Sequence, residues 1–185
     1  MMSAAVPPQE ELRELYRELI LDHARKPRHF GKLAQATHFA EGINPLCGDK
    51  LRLYLDIDTD ANIRDAAFEG SGCAISVASA SLLTETVIGM PTADALAFFE
   101  AIVAALTGKD EQRGVELGRL SALTGVRDYP SRVKCATLAW HALCSAIKDH
   151  SKPATTESTA CLETPMNLSR WNAMYRLSSS RSARW

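Results

Sequence analysis

Apolar residues recur along this chain in two rhythms, and each stretch of one rhythm predicts an element. Leu12, Leu15, Tyr16, Leu19 and Ile20 fall at helical spacing behind an acidic first turn, Glu10 and Glu11. That helix should stop near Lys26, because Pro27 disfavours helical geometry in the residue before it. Residues 33–42 keep neither rhythm and read as an irregular strand with its loop. Leu51, Leu53, Leu55 and Ile57 then alternate with Arg52, Tyr54, Asp56 and Asp58, the pattern of a half-buried strand. Asp60, Ala61 and Asn62 supply a turn, and residues 63–70 return as the second arm of a hairpin.

The second half reads as helical. Residues 74–88 carry no acid or base until Glu85, so this helix should be buried over much of its surface, with Gly89 closing it. Thr92 is the expected N-cap of a helix running to about residue 106, with Ala97, Phe98, Ala101, Ile102 and Ala105 inward. Residues 108–114 form a charged connector, 115–123 a short helix, and 125–131 a loop. A last helix should begin at Ser131 or Arg132 and end at Ile147, with Cys135 in its first turn. This pattern is α+β, a small antiparallel sheet packed with helices.

A length of 185 residues suits one domain, placed at residues 9–150. Residues 1–8 read as a disordered lead. Residues 151–185 are dense in Ser and Thr and carry Arg170, Arg176, Arg181 and Arg184 with no acid after residue 163, the composition of a disordered tail. A net charge of −1 argues against nucleic acid or a membrane surface as main partner. No apolar run approaches the roughly 20 residues that span a bilayer. The first residues lack a charged region followed by an apolar core, so no secretory signal is expected and the compartment is read as cytoplasmic. The basic stretch at 25–32 reads more readily as a solvated loop than as a docking surface for an acidic partner.

The five cysteines change the picture. In a reducing compartment persistent disulfides are not expected, and thiols on Gly-rich loops point to metal or sulfur chemistry. Cys47 and Asp49 lie two residues apart on a Pro/Gly-bent loop, Cys73 follows Gly70-Ser71-Gly72, and Cys135 lies near a helix start. Three thiolates and a carboxylate form a four-ligand set that suits zinc and, in the thiolates, iron–sulfur chemistry. Helix starts, with Arg132 and Lys134 nearby, should make Cys73 and Cys135 more thiolate-like. Asp49 is a harder, weaker ligand for a thiophilic ion, which suits a site that lets a ligand go. Cys144, beside Leu143 and Ile147, reads as a core thiol. Cys161 has no ligand-like neighbours, and none of the five His sits at a ligand spacing to a Cys.

Four stretches together resemble the U-type iron–sulfur assembly proteins, which include IscU, the N-terminal part of NifU, and SufU. They are residues 15–23, Asn44-Pro45-Leu46-Cys47-Gly48-Asp49, residues 68–76 around Gly70-Ser71-Gly72-Cys73, and residues 133–140 around Lys134-Cys135. The resemblance covers about residues 10–150. It is closer to SufU, because IscU-type members carry His where Lys134 stands and because residues 109–131 look like the SufU insertion. The IscU-type Leu-Pro-Pro-Val-Lys motif for chaperone docking is replaced by Tyr129-Pro130-Ser131-Arg132-Val133-Lys134.

The resemblance implies a SufE/IscU-like fold and zinc held by Cys47, Asp49, Cys73 and Cys135. It implies a pyridoxal-phosphate cysteine desulfurase of the SufS type as partner, which borrows the zinc with a His of its own. Cys47 is thereby freed to accept persulfide sulfur, Arg132 assists the exchange, and sulfur passes to a downstream iron–sulfur assembly scaffold. The alternative is a scaffold on which a [2Fe–2S] cluster is built and transferred. A module with a purely structural zinc is a third reading.

Overall fold

The structure, a computed structural model, describes residues 9–108, 117–148 and 153–156. The chain runs α1 (Gln9–Arg25), β1 (His38–Asn44), β2 (Asp49–Ile57), β3 (Ile63–Ser71), α2 (Ala74–Val87), α3 (Thr92–Thr107), a run of 3₁₀ turns at Gly118–Val126, α4 (Pro130–Ile147) and β4 (Ala154–Thr155).

The alternating stretch becomes β2, with β1 and β3 antiparallel on either side of it. Leu51, Leu53 and Leu55 all face inward with Asp49, while Arg52 points to the other face, opposite Glu41 on β1 and Glu69 on β3. There Arg52 pairs with Glu41 and lies over the Phe39 ring, 5.8 Å from its centroid, and Tyr54 bonds Glu69. One face of the sheet is thus apolar and one charged, as strand alternation requires.

Helices α2 and α4 cover the apolar face, with α1 on α2 and α3 on α4. The small side chains of α2 let α4 approach closely. Ser79 Oγ donates to the Ala136 carbonyl at 2.6 Å and accepts from Trp140 Nε1 at 3.1 Å, so both buried polar groups are satisfied. Trp140 in turn stacks on Phe98 with centroids 5.8 Å apart. Over β1 the approach is closer still: a Cβ at Gly42 would lie 3.1 Å from Leu138 Cδ1. Cys135, Leu138 and Ala142 fall at helical spacing on one stripe. Packing Leu138 and Ala142 on Gly42 therefore carries Cys135 to the end of β1. Among the described residues no helix is long and apolar enough to cross a membrane.

Several expectations are revised. The sheet is mixed, because β4 pairs parallel with β1 (Gly42 with Ala154, Ile43 with Thr155). That strand lies inside the stretch read as tail; residues 157–185, the lead at 1–8 and the connector at 109–116 lie outside the described residues. The irregular stretch before the site loop is a regular strand to Asn44. Pro91, not Thr92, occupies the cap position of α3. The expected short helix is instead the 3₁₀ run. Helix α4 starts at Pro130, whose missing N–H costs nothing at a first turn, so Cys135 sits in the second turn. Cys144 is buried as expected but is disulfide-bonded, not a free thiol.

The basic stretch is also more than a solvated loop. Phe68 N donates to the His29 carbonyl and Gly31 N to the Phe68 carbonyl, which lays the strap along the free edge of β3. Arg28 bonds Asp22 at 2.5 Å, and its backbone N–H donates to Ser81 Oγ at 2.8 Å.

Below that strap His23 is fully buried, facing Ser81, Arg28, Glu85 and Arg119. Arg119 Nη2 donates to His23 Nε2 at 2.9 Å. A guanidinium cannot accept, so Nε2 carries the lone pair and Nδ1–H donates to Ser81 Oγ at 2.8 Å. Burial, and then the Arg28 charge, hold this imidazole below its ordinary pKa of 6.5, and burial does the same for His141. Both are neutral in the fold, while the unfolded chain takes up a proton on each below 6.5. Their contribution to stability is therefore complete above that pH and declines as pH falls through it. Denaturant unfolding should show stability falling between about pH 7 and about pH 5, and His23→Gln should flatten the slope. An unchanged slope in that variant would remove His23 from the account.

Candidate metal centre

The site forms where β1, β2, α2 and α4 end together. Asn44 pairs with Asp49 across the β1–β2 hairpin, so residues 45–48 are its connecting loop. Gly48 N donates to the Asn44 carbonyl at 2.9 Å, and Gly48 takes φ +72°, a left-handed turn that glycine adopts without strain. Cys47 is lifted to the exposed tip of this loop. Asp49 shares the inward parity of Leu51, Leu53 and Leu55, which buries it to 2% exposure.

Cys73 closes β3 and caps α2. Its Sγ accepts from Ser76 N at 3.4 Å, and its own N–H donates to Asp49 Oδ1 at 2.9 Å. Gly72 is small for a reason: a Cβ there would lie 3.0 Å from Asp49 Oδ1. The second carboxylate oxygen, Asp49 Oδ2, is buried without a hydrogen-bond partner in the structure. Cys135 is 2% exposed, with Cys47 Sγ at 3.3 Å and the Ser131 carbonyl at 3.5 Å.

The ligand atoms of Cys47, Asp49 and Cys135 all lie within 4.8 Å of one another. Cys73 is adjacent through its amide bond to Asp49, but its sulfur is turned to the α2 cap and stands outside that group. Arg132 is exposed and lies over the Tyr129 ring, 5.4 Å from its centroid; Lys134 is half-buried on α4. The buried partner that sequence reasoning missed is Asn44, whose side-chain amide lies 3.4 Å from Cys135 Sγ. Its signal was parity: Ala40, Gly42 and Asn44 are the inward positions of β1.

Tetrahedral ligands on bonds of about 2.3 Å are about 3.8 Å apart, close to the sulfur separation seen here. A buried carboxylate beside two sulfurs, with one oxygen left unpartnered, is a donor that lacks only a cation. This donor set fits zinc. For Cys135 the expected shift is reversed: burial pushes that thiol well above its ordinary range, with Asp49, Cys47 and Cys73 acting the same way. Sitting in the second turn, it gains less from the helix end. A thiol in such surroundings yields its proton to a positive charge.

Comparison with known proteins agrees with this geometry. The chain is 42% identical over 129 residues to the zinc-dependent sulfurtransferase SufU of Bacillus subtilis (strain 168), covering 70% of this chain and 86% of that one. It is 41% identical over 138 residues to the iron–sulfur cluster assembly scaffold protein IscU of Streptococcus pyogenes serotype M1, covering 75% and 86%. A crystal structure of a putative scaffold protein for the SUF system from Fervidobacterium islandicum superimposes with a TM-score of 0.66 at 37% identity, over 73% of this chain and 98% of that one. The N-terminal part of a nitrogen-fixing NifU-like protein from Brucella abortus gives 0.64 at 27%, over 74% and 94%. The NifU-like N terminal domain model matches residues 15–156, a span that holds all four candidate ligands and both ends of the sheet, and the chain belongs to that family.

Proposed function

We propose that this protein is a zinc-dependent sulfurtransferase in iron–sulfur cluster assembly. It would take persulfide sulfur from a SufS-type, pyridoxal-phosphate cysteine desulfurase and pass it to a downstream assembly scaffold. One observation carries the reading: of the three clustered ligands, Cys47 is exposed at a loop tip, whereas Asp49 and Cys135 are buried. A sulfur donor from solution or a partner reaches Cys47 first. The resemblance to a protein named a zinc-dependent sulfurtransferase supports the same choice.

Cys47, Asp49, Cys73 and Cys135 would hold the zinc. Bound zinc would keep these thiols deprotonated while restraining their nucleophilicity. Once released as a thiolate, Cys47 attacks the outer sulfur of the partner's persulfide. The partner's S–S bond breaks, its inner sulfur leaves as a thiolate, and a new S–S bond on Cys47 carries the outer sulfur with its proton. Arg132, exposed on the first turn of α4, would meet a partner and assist the exchange. Lys134 adds positive charge near Cys135 as a weaker aid.

Radiolabelled cysteine, the desulfurase and the zinc-loaded protein test this directly. One zinc per chain and label mapping to Cys47 are expected. Label on another residue, or none, overturns the reading. A stable [2Fe–2S] cluster after anaerobic reconstitution, delivered to an acceptor faster than free iron and sulfide, would favour the scaffold role instead.

A further inference from the structure

We infer that Asn44 is a positioning residue that sets the order in which the thiols leave the ion, holding Cys135 in place so that Cys47 departs. The inference rests on the zinc reading above and concerns a residue outside the ligand set.

Asn44 is fully buried at the inward end of β1. Its amide orientation is fixed by chemistry. Leu46 N can only donate, and it lies 3.2 Å from Asn44 Oδ1, so Oδ1 is the oxygen. The nitrogen Nδ2 therefore faces Cys135 Sγ, at 3.4 Å, and donates to it. The same residue's carbonyl accepts from Gly48 N. Asn44 thus grips the loop carrying Cys47 at two points and the buried Cys135 sulfur at a third.

An N–H aimed at a sulfur ligand draws off part of its charge, which lowers its nucleophilicity. Ser76 N does this for Cys73. Cys47, at the exposed tip, has the Cys135 thiol as its neighbour at hydrogen-bonding distance. Two sulfurs are therefore quieted by amide donors within the fold, and the third is left the stronger nucleophile. Burial acts in the same direction, because no attacking group reaches Cys135 before Cys47.

Asn44→Asp separates the two jobs of the side chain. It is nearly isosteric and keeps an oxygen for Leu46 N, but it sets a carboxylate oxygen against Cys135. Zinc content of the wild type is measured first, and a wild type without zinc overturns the metal reading and this one with it. Zinc-loaded protein is then treated briefly with iodoacetamide and the labelled cysteines are mapped. Wild type should label at Cys47 at least about tenfold faster than at Cys135, and Asn44→Asp should narrow that ratio several-fold, with burial still leaving Cys47 the faster. In cobalt-substituted protein, the sulfur-to-cobalt charge-transfer band should shift in the variant, which a purely structural role would not produce. Should Asn44→Asp fail to fold by circular dichroism, Asn44→Ala takes its place with the same expected outcome. A folded, zinc-loaded variant with the wild-type labelling ratio and an unmoved band overturns the inference.

Discussion

Cys47→Ala should return sulfide release by a SufS-type desulfurase to the rate the desulfurase shows alone, and should cut sulfur uptake by this protein at least about 100-fold. The size of the effect follows from the chemistry. Attack on a persulfide needs a sulfur nucleophile, and alanine supplies none. Cys135 cannot stand in, because it is 2% exposed beneath the loop. Cys73 cannot readily stand in either, because its sulfur is engaged by the α2 cap. The fold should survive, since Cys47 is exposed and removing it leaves no cavity. Circular dichroism and the melting temperature, taken beside the sulfide assay, separate lost chemistry from lost structure. A folded variant that still stimulates the desulfurase excludes Cys47 as the acceptor.

Asp49→Asn should move the stability of zinc-depleted and zinc-loaded protein in opposite directions. Asp49 Oδ1 is satisfied by Cys73 N, and asparagine keeps that acceptor. Oδ2 is buried without a partner, so the native carboxylate carries a desolvation cost that only a cation offsets. Replacing the charge by a neutral amide should stabilise zinc-depleted protein by about 1–2 kcal/mol, a rise of several degrees in Tm. Zinc affinity should fall by at least about 100-fold, because a ligand is lost. At a fixed zinc excess, a 100-fold weaker Kd removes about 2.7 kcal/mol of ligand-linked stability, so the zinc-loaded variant melts below wild type. Thermal melts with chelator and with zinc read both arms. A variant that melts lower in chelator as well would show that Oδ2 is no burden, and so no idle ligand.

What could be read from the sequence follows from how strongly each residue announces its environment. Leu51, Leu53 and Leu55 declare an inward face, and that face became the middle of the core. Cys73 was legible because two glycines and a small-residue helix mark a strand-to-helix corner, and the structure makes it the cap of α2. Strand β1 read as irregular because its inward positions are Ala40, Gly42 and Asn44, none of them large and apolar. Gly42 is small because α4 needs the room, a tertiary demand that no local pattern shows. Cys135 was misplaced by a turn because Pro130 reads equally as a loop end or a helix start. The strap at 29–31 and strand β4 depend on single pairings with β3 and β1, and a pairing partner far along the chain leaves no periodicity behind.

The parallel pairing of Ala154 and Thr155 with Gly42 and Ile43 bears on how short this domain can be made. A version trimmed at residue 150 would strip the outer edge of β1 one residue before Asn44. The bare N–H and C=O groups there would invite strand-to-strand self-association, and the strand end that steadies the Cys47 loop would fray. Trimming after Thr156 keeps that edge covered, so a shortened version has to run at least beyond β4 and not stop at the end of the last helix.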